Sequence, residues 1–133
     1  SLHMPSLDST RGLFDSAFFS KMKSGAYFIN CARGSVVDEK ALYNALIGGK
    51  IAGAGLDVMQ TEPFDLENPL LKLPNVVVTP HVAGVTRQSA DRIHRLVAEN
   101  TLSLLDGRNI DRKYIANPKA LLHPRWGEDL PDI

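Results

Sequence analysis

The sequence predicts an α/β fold built on a parallel sheet, and three observations carry that expectation. Apolar runs at residues 26–31, 52–58 and 76–79 lack polar alternation, as strands buried on both faces do. Segments with helical apolar spacing and recognisable caps separate them. The order strand, helix, strand then favours right-handed β-α-β units with helices on both sides of the sheet.

The elements follow in order. Ser1-Leu2-His3-Met4-Pro5 reads as the last residues of a strand, stopped by Pro5. Asp15 caps a short helix in which Ala17, Phe18 and Met22 supply apolar contacts, Lys21 and Lys23 suit the C-terminal dipole and Gly25 is the stop. Ala26 to Asn30 reads as a buried strand. Asp38 caps a second helix with Glu39 in its first turn, Leu42, Ala45 and Leu46 on one face, and Gly48-Gly49 after it. Ile51 through Val58 forms the next apolar run, and its small residues Ala52, Gly53, Ala54 and Gly55 leave room for a neighbouring helix. A loop with Pro63 and Pro69 leads to a turn of helix at Leu70-Leu71, and Val76-Val77-Val78 makes a compact β-branched strand. Thr86 caps the longest helix, whose Ile93, Leu96, Val97, Leu104 and Leu105 recur at helical spacing until Asp106-Gly107. Residues 108–133, with Pro118, Pro124 and Pro131 and little periodicity, read as an irregular tail that wraps a surface or docks elsewhere. There is no internal repeat.

Composition narrows the function classes. The 133 residues suffice for one ordinary domain with a core. Fifteen basic and fifteen acidic residues balance, and no basic segment interleaves aromatics, so neither nucleic acid nor an anionic membrane is indicated. A small neutral or anionic ligand fits better. No apolar stretch approaches the ~20 residues that span a bilayer, and the N-terminus lacks the basic and apolar blocks of a signal peptide. Cys31 is the single cysteine, which excludes an internal disulfide and a cysteine-based zinc site and suits a reducing compartment. The expected location is the cytoplasm, and no metal site is expected.

Three side chains follow apolar runs where chemistry would need them: Arg33, Glu62 and His81. Loops at one edge of a parallel sheet can gather a guanidinium, a carboxylate and an imidazole. The guanidinium polarises a carbonyl oxygen and holds a carboxylate, the imidazole gives or takes a proton, and the Glu keeps the imidazole charged and oriented. That set suits moving a proton and a hydride at a carbonyl. Singly, each has an ordinary reading: a surface charge, a solvated loop acid, a loop histidine satisfied by backbone. The Ala83-Gly84 pair and the cap at Thr86 make the His81 turn a ligand-facing one, since exposed amides and helix N-termini favour anions. Gly53-Ala54-Gly55 is not a dinucleotide fingerprint, because its third glycine position is Val58 and Asp57 lies within the strand. His3, His94 and His123 have no comparable partners in sequence, and nothing beside Cys31 marks it as a nucleophile.

Together the segments match a known pattern. Ser1 to Pro5, Asn30-Cys31-Ala32-Arg33-Gly34-Ser35-Val36-Val37-Asp38-Glu39, Gly53 to Val58, Glu62-Pro63 and Pro74 to His81 resemble the D-isomer-specific 2-hydroxyacid dehydrogenases, from Ser1 to about Asp106. Phosphoglycerate dehydrogenase-like and hydroxypyruvate or glyoxylate reductase-like members are resembled alike. The resemblance implies that residues 1–107 are the second half of a Rossmann-type doubly wound sheet binding NAD, with NADP left open. Residues 108–133 would return toward a substrate domain. It implies catalytic roles for Arg33 on the 2-keto acid, His81 as acid/base and Glu62 as its partner. Cofactor contacts map onto Cys31, Ala32, Arg33, His81 and Gly84, onto Asp57 at the carboxamide, and onto Met4 and Thr10 nearer the ribose and phosphates.

In the resembled family the glycine-rich loop, the ribose-reading acid and the substrate lobe precede the point where this chain starts. The chain therefore reads as part of an oxidoreductase acting on 2-keto or 2-hydroxy acids, inactive by itself. An uncovered sheet edge and apolar helix faces would make a second copy a physically plausible partner. The alternative is a dehydrogenase-like regulatory or corepressor module that senses nucleotide and binds a protein partner, marked by a peptide-binding lobe upstream.

Overall fold

The computed structural model describes residues 1–108 and 110–117. They divide into two compact units, Ser1–Gly84 and a second beginning at Val85. The first unit holds helix α1 (Ser16–Lys21), strand β1 (Ala26–Asn30), helix α2 (Glu39–Ile47), strand β2 (Ile51–Leu56) and strand β3 (Val76–Val78). Short 3-10 turns occupy Gly34–Val36 and Pro69–Lys72.

The expected caps start both helices. Asp15 accepts the Phe18 N–H at 2.8 Å and Asp38 accepts the Ala41 N–H at 3.1 Å, each satisfying a donor that the first turn leaves unpaired. After α2 the chain turns at Gly49, whose φ of 68° is a conformation that costs glycine nothing. The three strands are parallel in the order β1-β2-β3, with Phe28 beside Ala54 and Leu56 beside Val78. Leu2 bridges to Asn30 in parallel, so the first residues do lie as a strand end against β1. Each expected strand is present but ends early: β1 at Asn30, β2 at Leu56 and β3 at Val78.

The core lies on one face of this sheet. Phe28, Ala54 and Leu56 meet Leu42, Leu46, Val36, Val37 and Leu70, all buried. Burying each large side chain contributes about 1.5–3 kcal/mol before the cost of ordering it. The α1 anchor departs from the sequence reading. Phe19, not Ala17 or Phe18, is the buried residue, and its ring stands edge-on to Phe28 at 5.1 Å between centroids. Phe18 stays at the margin, edge-on to Phe14 at 4.7 Å.

The opposite face departs from expectation too. Tyr27 pairs with Gly53, and Gly55 with both Ile29 and Val77, so these residues share one side of the sheet. Tyr27 and Val77 are 71% and 68% exposed, so burial on both faces does not hold for the outer strands. A Cβ on Gly53 would lie 2.7 Å from the Asn75 oxygen and 3.2 Å from the Tyr27 ring. A Cβ on Gly55 would lie 3.0 Å from Ile29 Cδ1. The Asn75 backbone oxygen and the Tyr27 ring occupy the space beside Gly53, and the Ile29 side chain that beside Gly55, where a packed helix was expected.

In the second unit, helix α3 (Arg87–Leu105) is the longest of the described residues. Thr86 accepts the Ser89 N–H at 3.0 Å and Ser89 Oγ accepts the Thr86 N–H at 2.9 Å, a reciprocal capping box. The helix ends at Asp106, followed by Gly107 with φ of 66°. None of its residues is buried: of the expected stripe, Ile93, Val97, Leu104 and Leu105 are exposed and Leu96 is half-buried. A 3-10 turn covers Arg112–Tyr114. The expected tail falls largely on residues 118–133, which lie outside the described residues, as do its prolines.

Candidate active site

Each strand delivers one loop to the same end of the sheet. Past β3, the Thr79 N–H extends the ladder to the Leu56 oxygen at 2.9 Å, and Pro80, which has no N–H to donate, comes next. His81 follows with φ of 57°, the single positive value of a non-glycine residue among the described residues. Few non-glycine residues adopt this region, so the surroundings must hold it there.

Asp57 does so. It lies just past β2, and its backbone oxygen accepts the His81 N–H at 2.8 Å. Its carboxylate Oδ1 accepts the Thr79 hydroxyl at 2.5 Å and the Val82 N–H at 2.9 Å. Oδ2 accepts the Ala83 N–H at 2.9 Å. Burial pushes the Asp57 carboxyl up, but the Thr79 hydroxyl, the Ala83 and Val82 amides and the nearby His81 outweigh it, leaving a net pKa below the ordinary aspartate value. A buried carboxylate therefore stays charged and pins the turn that carries His81.

Glu62 comes from the long loop after β2, preceding a cis peptide bond to Pro63. Its Oε1 accepts the Met59 N–H at 3.3 Å, and its Oε2 lies 3.0 Å from His81 Nδ1. An ionised carboxylate can only accept, so Nδ1 carries the proton and the imidazole presents Nε2 as its free nitrogen. Both side chains are more than a third exposed, and a pair so placed is worth at most ~1 kcal/mol of stability. Its effect is orientation. The pair opens on a cavity of about 450 Å³, walled by Met59, Pro63, Phe64 and Pro80.

Arg33 stands apart from that pair. Asn30, almost fully buried at the end of β1, accepts the Ala32 N–H at 2.9 Å and donates to the Arg33 oxygen at 3.1 Å, which shapes the turn between them. Arg33 is an exposed residue, and its guanidinium donates through Nη1 to the Ala32 oxygen at 2.7 Å. It lines a second cavity of about 540 Å³ with His3, Met4, Pro5, Ser6, Cys31 and Ala32. Glu62 and His81 are thus brought together, while Arg33 faces a cavity shared with three of the expected cofactor residues, Met4, Cys31 and Ala32.

The other expected residues have definite places. The Thr10 hydroxyl accepts the Leu7 N–H at 2.7 Å and donates to the oxygens of Pro5 and Leu7, so it closes its own turn. Gly84 is exposed and a side chain added there would meet nothing within 4 Å. The sequence reading missed Thr79, Asn30 and the tethering role of Asp57. Asn30 alone had a local signal, an Asn directly after an apolar run, since that side chain readily binds nearby backbone.

Among the described residues no group of His, Cys, Asp and Glu could hold a metal ion, and no helix is long and apolar enough to cross a membrane. The Arg33 cavity lies in the size range of ligand pockets. Asp57 lines the other cavity, beside His81, and its Oδ2 accepts one hydrogen bond, from the Ala83 N–H.

Comparison with known proteins agrees. Residues 1–83 match the family model described as D-isomer specific 2-hydroxyacid dehydrogenase, NAD binding domain. The D-3-phosphoglycerate dehydrogenase of Archaeoglobus fulgidus is 45% identical over 106 residues, which is 80% of this chain and 20% of that protein. Glyoxylate/hydroxypyruvate reductase B of Escherichia fergusonii is 43% identical over 119 residues, 90% of this chain and 36% of that protein. Among solved structures, a D-isomer specific 2-hydroxyacid dehydrogenase from Lactobacillus delbrueckii ssp. bulgaricus, in its NAD complexed form, superposes with a TM-score of 0.76 at 36% identity. That match covers 87% of this chain and 39% of the other. The chain belongs to the D-isomer specific 2-hydroxyacid dehydrogenase family, and residues 1–83 fall within its NAD-binding domain. It spans between a fifth and two-fifths of the length of these relatives.

Proposed function

We propose that this chain forms the nicotinamide side of the active site of an NAD-dependent dehydrogenase that interconverts small 2-keto and D-2-hydroxy acids. The observation that carries this reading is the 3.0 Å contact between His81 Nδ1 and Glu62 Oε2 at the carboxyl end of the parallel sheet. With Nδ1 held by Glu62, His81 donates a proton from Nε2 to the oxygen of a 2-keto acid during reduction and takes it back during oxidation. Glu62 stabilises the imidazolium that donates. Arg33 leaves its contact with the Ala32 oxygen to bind the substrate carboxylate and polarise the keto oxygen, a task suited to a fixed, always-charged fork. Met4, Cys31 and Ala32 would line the nicotinamide side of the cofactor cavity, Asp57 Oδ2 would accept from the carboxamide, and the open space beside Gly84 would admit the ring. Thr10 contributes by fixing the turn that borders this cavity. Bound NAD supplies or accepts the hydride at C2 of the substrate.

The test uses the full-length protein that contains this chain. His81→Asn keeps a residue that tolerates the positive φ, so it removes the imidazole with least disturbance of the turn. Turnover of pyruvate, hydroxypyruvate or glyoxylate with NADH should fall by ~10²–10⁴-fold. NADH binding, read by fluorescence titration, should persist. Arg33→Ala should raise the KM for the keto acid. Near-wild-type turnover in His81→Asn would reject the acid/base assignment.

A further inference from the structure

Glu62 sits in a nine-residue stretch, 60–68, that contains no helix or strand of its own, yet its carboxylate must meet His81. A third acidic residue closes that stretch. Glu39, in the first turn of α2, is half-buried, and its side chain points away from the helix toward the loop. Its Oε1 accepts the Gln60 N–H at 2.6 Å, and its Oε2 accepts Asn68 Nδ2–H at 2.8 Å. Gln60 Nε2 in turn donates to the Val37 oxygen at 2.6 Å, two residues before the helix starts. One carboxylate thus ties together both ends of the segment that carries Glu62.

The contacts are of a strong kind. Hydrogen bonds to an ionised acceptor are roughly twice as strong as neutral ones. Asn68 also caps the following 3-10 turn by accepting the Leu70 N–H at 3.0 Å, so its side chain is held from both sides. Leu70 is buried in the core, which anchors the far end of the loop to the scaffold. By contrast, the direct hold of Glu62 on its own loop is a single 3.3 Å bond to the Met59 N–H.

We propose that Glu39 is a positioning residue for the Glu62–His81 pair, acting by closing the 60–68 loop on the N-terminus of α2 and touching neither substrate nor His81. This rests on the reading of Glu62 and His81 as the working pair. Glu39→Ala removes both anchors, and Glu39→Gln is near-isosteric but keeps only one acceptor oxygen. In either variant Glu62 samples more positions, and the Nδ1–H donor of His81 loses its fixed partner.

The test reads the imidazole by side-chain ¹⁵N NMR in the full chain, with Glu62→Gln as reference. In the wild type the ring nitrogens should report Nδ1–H bonded to a carboxylate. Glu39→Ala should move both shifts toward those of Glu62→Gln, and Glu39→Gln should move them part of the way. Backbone amide spectra verify that the sheet is intact, and if Glu39→Ala does not fold, the near-isosteric Glu39→Gln decides. Unchanged His81 shifts in a folded Glu39 variant, alongside a clear change in Glu62→Gln, would overturn the proposal while leaving the pair standing. No change in Glu62→Gln would reject the pair itself, and the positioning role with it.

Discussion

The backbone oxygen of Asp57 accepts the His81 N–H at 2.8 Å, and the Asp57 carboxylate accepts the amides of the next two residues at 2.9 Å each. The geometry of the imidazole is thus tied to the charge of a buried group. Because the folded carboxyl titrates below the unfolded value of about 3.9, Asp57 adds stability above that pH and loses it as pH falls through the folded value. Asp57→Asn should therefore be least stable relative to wild type at neutral pH. The gap in urea midpoint should narrow below about pH 4. A gap that does not vary with pH would show that charge is not what holds the turn.

Gly34 and Met59 give a second prediction. A Cβ on Gly34 would lie 1.9 Å from the Met59 oxygen and 2.4 Å from the Gln60 nitrogen, both backbone atoms. The Arg33 loop and the Glu62 loop therefore touch main chain to main chain. Gly34→Ala must push one of them aside, and overpacking of this kind costs about 1–3 kcal/mol, more where backbone has to move. Urea unfolding should show that loss. An unaffected midpoint would mean that the two loops shift freely past each other.

Two aliphatic residues that look alike in sequence should behave differently. Leu42 is fully buried in α2, whereas Ile93 in α3 is 58% exposed. Leu42→Ala should destabilise by about 2–5 kcal/mol, with no collapse into the vacated space to relieve it. Ile93→Ala should change stability by less than about 0.5 kcal/mol. Equal losses in thermal or urea unfolding would contradict the burial assigned to these helices.

The fold was legible because its punctuation is local. Asp15, Asp38 and Thr86 each bind an amide within three residues, so a cap can be read without knowing what the helix packs against. The partner of Phe28 could not be read in that way. Phe18 and Phe19 are equally apolar, and a six-residue helix offers too few turns for its apolar spacing to choose between them. The roles of Gly53 and Gly55 depended on which side chain lies across from them, a matter of register that no single strand encodes. In the site, Arg33, Glu62 and His81 stood out because their types carry chemistry and each follows a strand. Asp57, Thr79 and Glu39 did not show their tethering roles, because their partners lie more than twenty residues away in the chain.

Among the described residues the sheet stops at β3, only three residues long, with Val77 exposed. Three successive valines along an outer boundary form a template that a stray extended chain could lengthen. What limits that hazard is brevity, since Pro74 and Pro80 bracket the valines and deny an incoming strand more than a few rungs. Pro80 lies directly before the histidine and has no N–H to offer an incoming strand, so replacing it would put solubility and site geometry at risk together.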